Sequence, residues 1–175
     1  MRILVVVASR HGGTWEIGEV VADALASRGH VVDQRAPEDV ASVEGYDAVV
    51  LGSAVYLAHW MMAAREFADR FAEQLASVPV WMFSSGLATQ PAAAANSPHE
   101  LMALRTLIGA RGHRTFRGRL DRALLTFAER AAIAGARARE GDHRDLVAVR
   151  AWALQVADDL EAHPVVDATR HSATV

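Results

Sequence analysis

The sequence predicts one α/β domain in which a five-stranded parallel sheet, in the doubly wound order 2-1-3-4-5, carries helices on both faces. Three features carry that expectation. Ile3-Leu4-Val5-Val6-Val7-Ala8 is continuously apolar and β-branched, the pattern of a strand buried on both sides of a parallel sheet. Further apolar runs alternate with stretches of helical periodicity, which implies crossover connections and few possible topologies. Clusters of glycine, serine and threonine stand where strands end, the place at which doubly wound folds collect a ligand site.

The elements follow in order. Ile17, Val20, Val21, Ala24 and Leu25 recur at helical spacing, and Arg28-Gly29 supplies a C-terminal cation and a glycine stop. Val31-Val32 begins a short second strand. After a loop marked by Pro37 and Gly45, Asp47 to Ser53 forms a strong third strand. Ala63, Phe67, Phe71 and Leu75 stand four apart on one long second helix. Val78-Pro79-Val80-Trp81-Met82-Phe83 is the fourth strand, with its proline at the start, where a missing donor is tolerated. Leu101, Leu104 and Ile108 mark a helix opening near Ser97-Pro98. His113 to Leu120, polar and arginine-rich, suits an edge strand. The last helix presents Val149, Trp152, Ala153, Val156 and Leu160, with Asp142 as its N-cap, Asp145 three residues on, and Pro164 as its end. The domain is expected to span residues 1-163, with a flexible tail over 164-175.

Composition narrows the function classes. A length of 175 residues with 51% apolar and 22% charged residues suits a single globular core. The chain has no cysteine, which excludes disulfides, iron–sulfur clusters, thiolate metal sites and cysteine nucleophiles. The N-terminus enters the apolar run at Ile3 with no basic leader or cleavage-site pattern, and no uncharged apolar stretch reaches bilayer length, so a soluble cytoplasmic protein is expected. Net charge is -3, but it is unevenly spread: 11 arginines and 5 acids lie between Arg105 and Arg150, against 7 arginines and 16 acids elsewhere. Such a patch attracts an anionic substrate or a membrane surface, or is simply solvated helix surface. The lack of lysine and of interleaved aromatics argues against a nucleic-acid face.

The chemistry concentrates in three segments. Ser9-Arg10-His11-Gly12-Gly13-Thr14 lies between the first strand and the first helix, where a tight turn aims backbone N–H groups from a positive helix end. Gly12 and Gly13 allow close backbone approach, and the hydroxyls of Ser9 and Thr14 can donate to phosphate oxygens, so a phosphomonoester fits. The spacing matches neither the dinucleotide fingerprint nor the P-loop. A tight turn uses the same residues for structure alone. Two further strands end in small polar loops, Gly52-Ser53-Ala54-Val55-Tyr56 and Ser84-Ser85-Gly86-Leu87, which converge on the same crevice. Tyr56 or Trp60 either stacks on a ligand or anchors the loop in the core. His11, His59 and His99 fall near the crevice, but their spacing makes no metal motif, and no metal is expected.

With these residues in view, the chain resembles the flavodoxin-like family, and within it the branch of menaquinone-dependent protoporphyrinogen dehydrogenases. The resemblance rests on the opening strand with Ser9 to Thr14 and Glu16-Ile17, on Gly52-Ser53-Ala54-Val55 with His59, on Glu66-Phe67, and on Gly141-Asp142 leading to Trp152-Ala153. It implies FMN, with Ser9, Arg10, His11, Gly12, Gly13 and Thr14 holding the phosphate. Ser53, Ala54, Val55 and Tyr56, and Ser84, Ser85, Gly86 and Leu87, then border the flavin ring. Electron-carrier flavodoxins often use a glycine in the second loop for a redox-linked peptide flip, and no glycine lies between Val55 and Met62. The dehydrogenases carry an insertion, associated with substrate or membrane contact, where Leu120, Leu124, Phe127, Ala128 and Ala131 line a helical face within Leu120 to Glu140. That stretch lacks the aromatic-rich, strongly basic character of theirs.

The resulting expectation is an FMN-dependent oxidoreductase passing electrons between an organic donor and a quinone-like acceptor, in the manner of protoporphyrinogen oxidation. The alternatives are a non-catalytic electron carrier that docks to a redox protein, and an interaction module without FMN. Expected partners are a small-molecule or quinone redox partner, a redox protein in the carrier case, no nucleic acid, and at most peripheral membrane contact.

Overall fold

The computed structural model describes residues 1–56, 58–86, 98–127, 130–131 and 140–163. The chain enters as β1 (Arg2–Ala8), α1 (Gly13–Ala26) and β2 (Val31–Arg35). It continues through β3 (Ala48–Tyr56), the two-residue β4 (His59–Trp60), α2 (Met62–Arg70), α3 (Ala72–Ala76) and β5 (Val80–Gly86). Then come α4 (Pro98–Leu107), β6 (Gly112–Arg117), β7 (Arg119–Leu120), β8 (Gly141–Asp142) and α5 (Leu146–Ala162). The main sheet runs β2-β1-β3-β5-β6 with every neighbouring pair parallel. Passing over the short β4, this is the doubly wound order expected from the sequence. Leu87 and the expected tail over 164–175 lie outside the described residues.

Strand side chains alternate across the sheet, so a strand buried on both faces feeds two cores. From β1, Leu4, Val6 and Ala8 join Leu51, Met82, Phe67, Leu75 and Ile108 beneath α2, α3 and α4. Ile3, Val5 and Val7 face the other way, onto Ile17 and Val21 of α1 and Val149, Val156 and Leu160 of α5. Phe83, Phe116 and Trp152 form a ring cluster on that side, with centroids 5.6–6.2 Å apart. Gly52 makes room for it: a Cβ there would stand 2.1 Å from the Phe83 ring.

Four local expectations are corrected. The long second helix breaks at Phe71 (φ −113°, ψ 21°), although Phe71 N–H still donates to Phe67 and Leu75 N–H to Phe71, so the apolar stripe stays in one core. The stretch His113 to Leu120 splits at Gly118 into edge strand β6 and the separate β7, which pairs antiparallel with β8. Asp142 lies in β8 and does not cap the last helix; Asp145 does, accepting from Ala148 N–H at 2.9 Å. In the described part of the Leu120 to Glu140 stretch, the expected helical face does not begin at Leu120. Leu120 is a buried strand residue, Leu124 sits in a 3-10 turn, and Phe127 is 90% exposed. Ala128 lies outside the described residues.

On one face of the sheet, β5 and the edge strand β6 are tied to the short β4 by a polar chain. Ser84 Oγ accepts from Trp60 Nε1 at 2.8 Å and shares a 2.7 Å hydrogen bond with His113 Nε2. Burial, helped by the charge of Arg105, pushes the His113 pKa down from 6.5 to about 4. The unfolded chain therefore takes up this proton first, so the neutral ring's contribution is complete above pH 6.5 and is lost as pH falls toward 4. Chemical denaturation followed between those pH values should show stability falling by up to about 1.4 kcal/mol per pH unit from this group, and His113→Gln should flatten the slope.

Candidate functional site

The site begins where β1 stops. Gly12 takes a left-handed conformation (φ 79°, ψ −23°) at the N-cap of α1, and no side chain caps the helix. The first-turn N–H groups of a helix have no intrahelical acceptor, so the turn presents donors at the positive end of the dipole. Beside it, Ser9 Oγ is buried without a hydrogen-bond partner among the described residues. Such an atom costs about 1–3 kcal/mol unless a ligand or water satisfies it. Thr14 is buried at 5% exposure and lines the same space.

The second and third walls are strand ends. Segments read from the sequence as loops belong to β3 and β5, which carry Ser53–Tyr56 and Ser84–Gly86. β3 then turns back at Ala58, which has φ 66°, the one non-glycine residue with positive φ among those described. The return strand β4 pairs Val55 with Trp60 and Tyr56 with His59. Ser53 and Ser84 do not line the cleft. Ser53 Oγ donates to Ala54 O and accepts from Met61 N–H, which pins the hairpin, and Ser84 belongs to the Trp60–His113 chain. Trp60 is thereby a core anchor at 2% exposure, whereas Tyr56 lines the cleft edge-on to His11, with ring centroids 6.3 Å apart.

A fourth wall was not foreseen. Gly118 passes so close to β5 that a Cβ would stand 3.3 Å from Gly86 backbone atoms, and Gly118 N–H donates to Gly86 O at 2.8 Å. This brings Gly118 to Asp121 and Leu125 to the cleft, opposite Ser9, His11, Gly13 and Thr14. The cleft is open to solvent and, with its mouth included, spans about 500 Å³. Arg10 is exposed and is not among the lining residues, and neither is Gly12, whose role is to set the turn. His59 pairs with Glu100 at 2.7 Å and is largely exposed. The side chain of His99, like Leu87, lies outside the described residues. Among the described residues no cluster of His, Asp and Glu has the makings of a metal site, and no helix is long and apolar enough to cross a membrane.

The fourth wall is clasped to the first by an ionic chain. Arg144, with 4% of its side chain exposed, meets Glu16 at 2.7 Å and Asp142 at 2.6 Å and donates to the carbonyl of Gly13 at 3.0 Å. Arg119 meets the same Glu16 carboxylate at 2.8 Å. The hydrogen bonds from Arg144 hold the Asp142 pKa down at about 2. Burial would raise Glu16, but hydrogen bonds and charge from Arg144 and Arg119 outweigh it and keep this carboxyl below its ordinary value. Glu16 and Asp142 are far apart in sequence, and only the arginine richness of the 105–150 stretch hints at their bridges.

A doubly wound sheet with a glycine turn, a free helix end and three strand ends around one cleft defines a flavodoxin-type protein. The chain belongs to the flavodoxin-domain family, whose model matches residues 4–146. That family binds flavin, typically FMN. No curated protein sequence matches the chain significantly. Among solved structures it is similar to a flavodoxin from the domain Archaea (14% identity, 92% of this chain and 99% of that one, TM-score 0.63). It is also similar to a WrbA-like flavodoxin from Agrobacterium tumefaciens (16% identity, 93% and 98%, TM-score 0.61). It matches part of the flavodiiron protein from Giardia intestinalis (13% identity, 92% of this chain but 36% of that one, TM-score 0.62). At such identities the likeness is one of fold.

The clasp makes a prediction. Arg144→Leu leaves two carboxylates without their shared partner, and because both are partly open to solvent the expected cost is about 2–4 kcal/mol, below that of a fully buried pair. Since Asp142 is held at about 2, below its unfolded value of about 3.9, its share is present above pH 4 and is lost as pH falls toward 2. Urea unfolding at pH 7 and at pH 3 should show the wild-type advantage over Arg144→Leu shrinking at the lower pH.

Proposed function

We propose that this chain binds FMN in the cleft and passes electrons across the exposed edge of the flavin, between an organic donor and a quinone-like acceptor. The observation that carries the reading is the buried Ser9 Oγ, without a hydrogen-bond partner among the described residues, beside the uncapped start of α1 in the cleft. Ser9, Thr14 and the Gly12–Gly13 turn are the phosphate side of the site. Val55 and Tyr56 on one wall and Ser85 and Gly86 on the other are the ring side. Ser53 and Ser84 act one layer below, holding the strand ends that flank the ring. Leu120 and Leu125 give the fourth wall an apolar lining that keeps water from the ligand. When bound, FMN supplies the electron-accepting chemistry, and the chain supplies binding, orientation and access.

The quinone-like acceptor is supported by the cleft's surroundings. Arg119 lines it, Arg122 follows in the adjoining turn, and Phe127 stands 90% exposed two residues beyond Leu125, an apolar and cationic border suited to a flat, anion-bearing organic molecule. The protoporphyrinogen-dehydrogenase-like reaction is one case of this class. The absence of glycine at the Ala58 turn supports the same side, because a Cβ penalises one conformer of any peptide flip there. The acid excess outside Arg105 to Arg150 favours a second reading, a one-electron carrier for a redox protein with a basic docking face.

FMN added to the purified protein should survive desalting as a bound flavin band. Thr14→Val should weaken binding about tenfold through loss of one hydroxyl contact to phosphate, with an unchanged melting curve in the absence of flavin. Anaerobic titration with dithionite separates the two readings. Direct two-electron bleaching supports the oxidoreductase, and a long-lived one-electron stage supports the carrier.

A further inference from the structure

We infer that Arg119 is a positioning cation for the flavin phosphate, supplied from the β7–β8 hairpin across the cleft and not by the phosphate loop itself. The inference rests on the FMN reading above.

The arrangement of charge leads to it. The phosphate loop contains Arg10, but Arg10 is exposed and outside the cleft lining. Arg119 is the one arginine among the described residues that line the cleft. Its backbone and Cβ pack against Gly13, where an added Cβ would stand 3.5 Å from Arg119 Cβ. Its Nη2 lies 3.9 Å from the position of a Cβ on Gly12. The Arg119 residue thus sits over the glycine turn, its backbone and Cβ at Gly13 and its Nη2 near Gly12. A Cβ on either glycine would touch Arg119 at van der Waals distance, and at Gly12 the positive φ of 79° also disfavours any side chain.

The same guanidinium is oriented before any ligand arrives. Nη1 donates to both oxygens of Glu16, at 2.8 and 3.1 Å, and Glu16 is itself fixed by Arg144. The two arginines differ in what remains open. Arg144 spends Nε, Nη1 and Nη2 on Asp142, Glu16 and Gly13 O, with 4% of its side chain exposed. Arg119 makes its contacts to Glu16 through Nη1 and keeps 29% of its side chain exposed, at the cleft end of the chain. Two arginines and two carboxylates leave this network neutral, so it neither repels a dianion nor collapses onto itself. A phosphate at the turn adds the negative charge, and Nη2 and Nε, which are not among the contacts to Glu16, can share two hydrogen bonds with it.

The structural alternative is that Arg119 only ties the hairpin to α1 through Glu16. The two roles predict different binding patterns, because FMN and riboflavin differ only in the phosphate. Flavin fluorescence quenching should be titrated with each ligand against the full chain and against Arg119→Gln. The wild type is expected to bind FMN far more tightly than riboflavin. Arg119→Gln should raise the FMN Kd about tenfold or more and move the riboflavin Kd by less than about twofold. Equal weakening of both ligands, or an unchanged FMN Kd, overturns the inference and leaves the FMN site standing. Failure of the wild type to bind either flavin overturns the FMN reading itself and this inference with it. If Arg119→Gln does not fold, Arg119→Lys decides. That variant keeps the charge and loses the fork, so FMN should weaken about threefold with riboflavin unchanged, and wild-type affinity for FMN in it would count against the proposal.

Discussion

The central strands of this sheet have no solvent-facing side. β1, β3 and β5 each send successive residues into different cores, so every residue from Ile3 to Ala8 must be apolar and every face must find a helix. The rest of the molecule follows from that demand. The helices divide between the two faces because both need covering, α1 with α5 on one and α2 to α4 on the other. The strand order then places the ends of β1, β3 and β5 side by side, and their polar residues meet at one crevice because nothing apolar remains to be buried there.

Polar groups at those ends divide into two kinds. Ser53 and Ser84 are fully buried and satisfied, and they spend their hydroxyls on the hairpin and on Trp60 and His113. Ser9, Thr14 and the free start of α1 look into the cleft, and Ser9 Oγ has no protein partner among the described residues. A scaffold that satisfies its buried serines one and two strands away leaves this one open beside a free helix start.

The β7–β8 hairpin is a later layer on the same plan. It contributes no strand to the main sheet. It is held by the close pass of Gly118 over Gly86 and by Arg144, whose contacts reach Asp142 on the hairpin and both Glu16 and the Gly13 carbonyl at the start of α1. The cleft is thus closed on one side by charge pairing, where the main sheet relies on apolar burial.

The sequence by itself determined the parts that depend on local pattern. The β1 run, the spacing of Ile17 and Val21, the Phe67 and Leu75 stripe and the Ser9 to Thr14 turn were legible because strand, helix and turn preferences act over a few neighbours. Those preferences also implied the strand order and the convergence of three strand ends. Tertiary structure decided which side chains face the cleft. Ser53 and Ser84 turn inward, Trp60 goes to the core and Tyr56 to the cleft, because each side chain's direction depends on strand pairings that no local window contains. It also decided the fourth wall. Arg119 and Arg144 lie more than a hundred residues from the Glu16 they share, and charge composition alone carries no information about which of many arginines reaches one carboxylate.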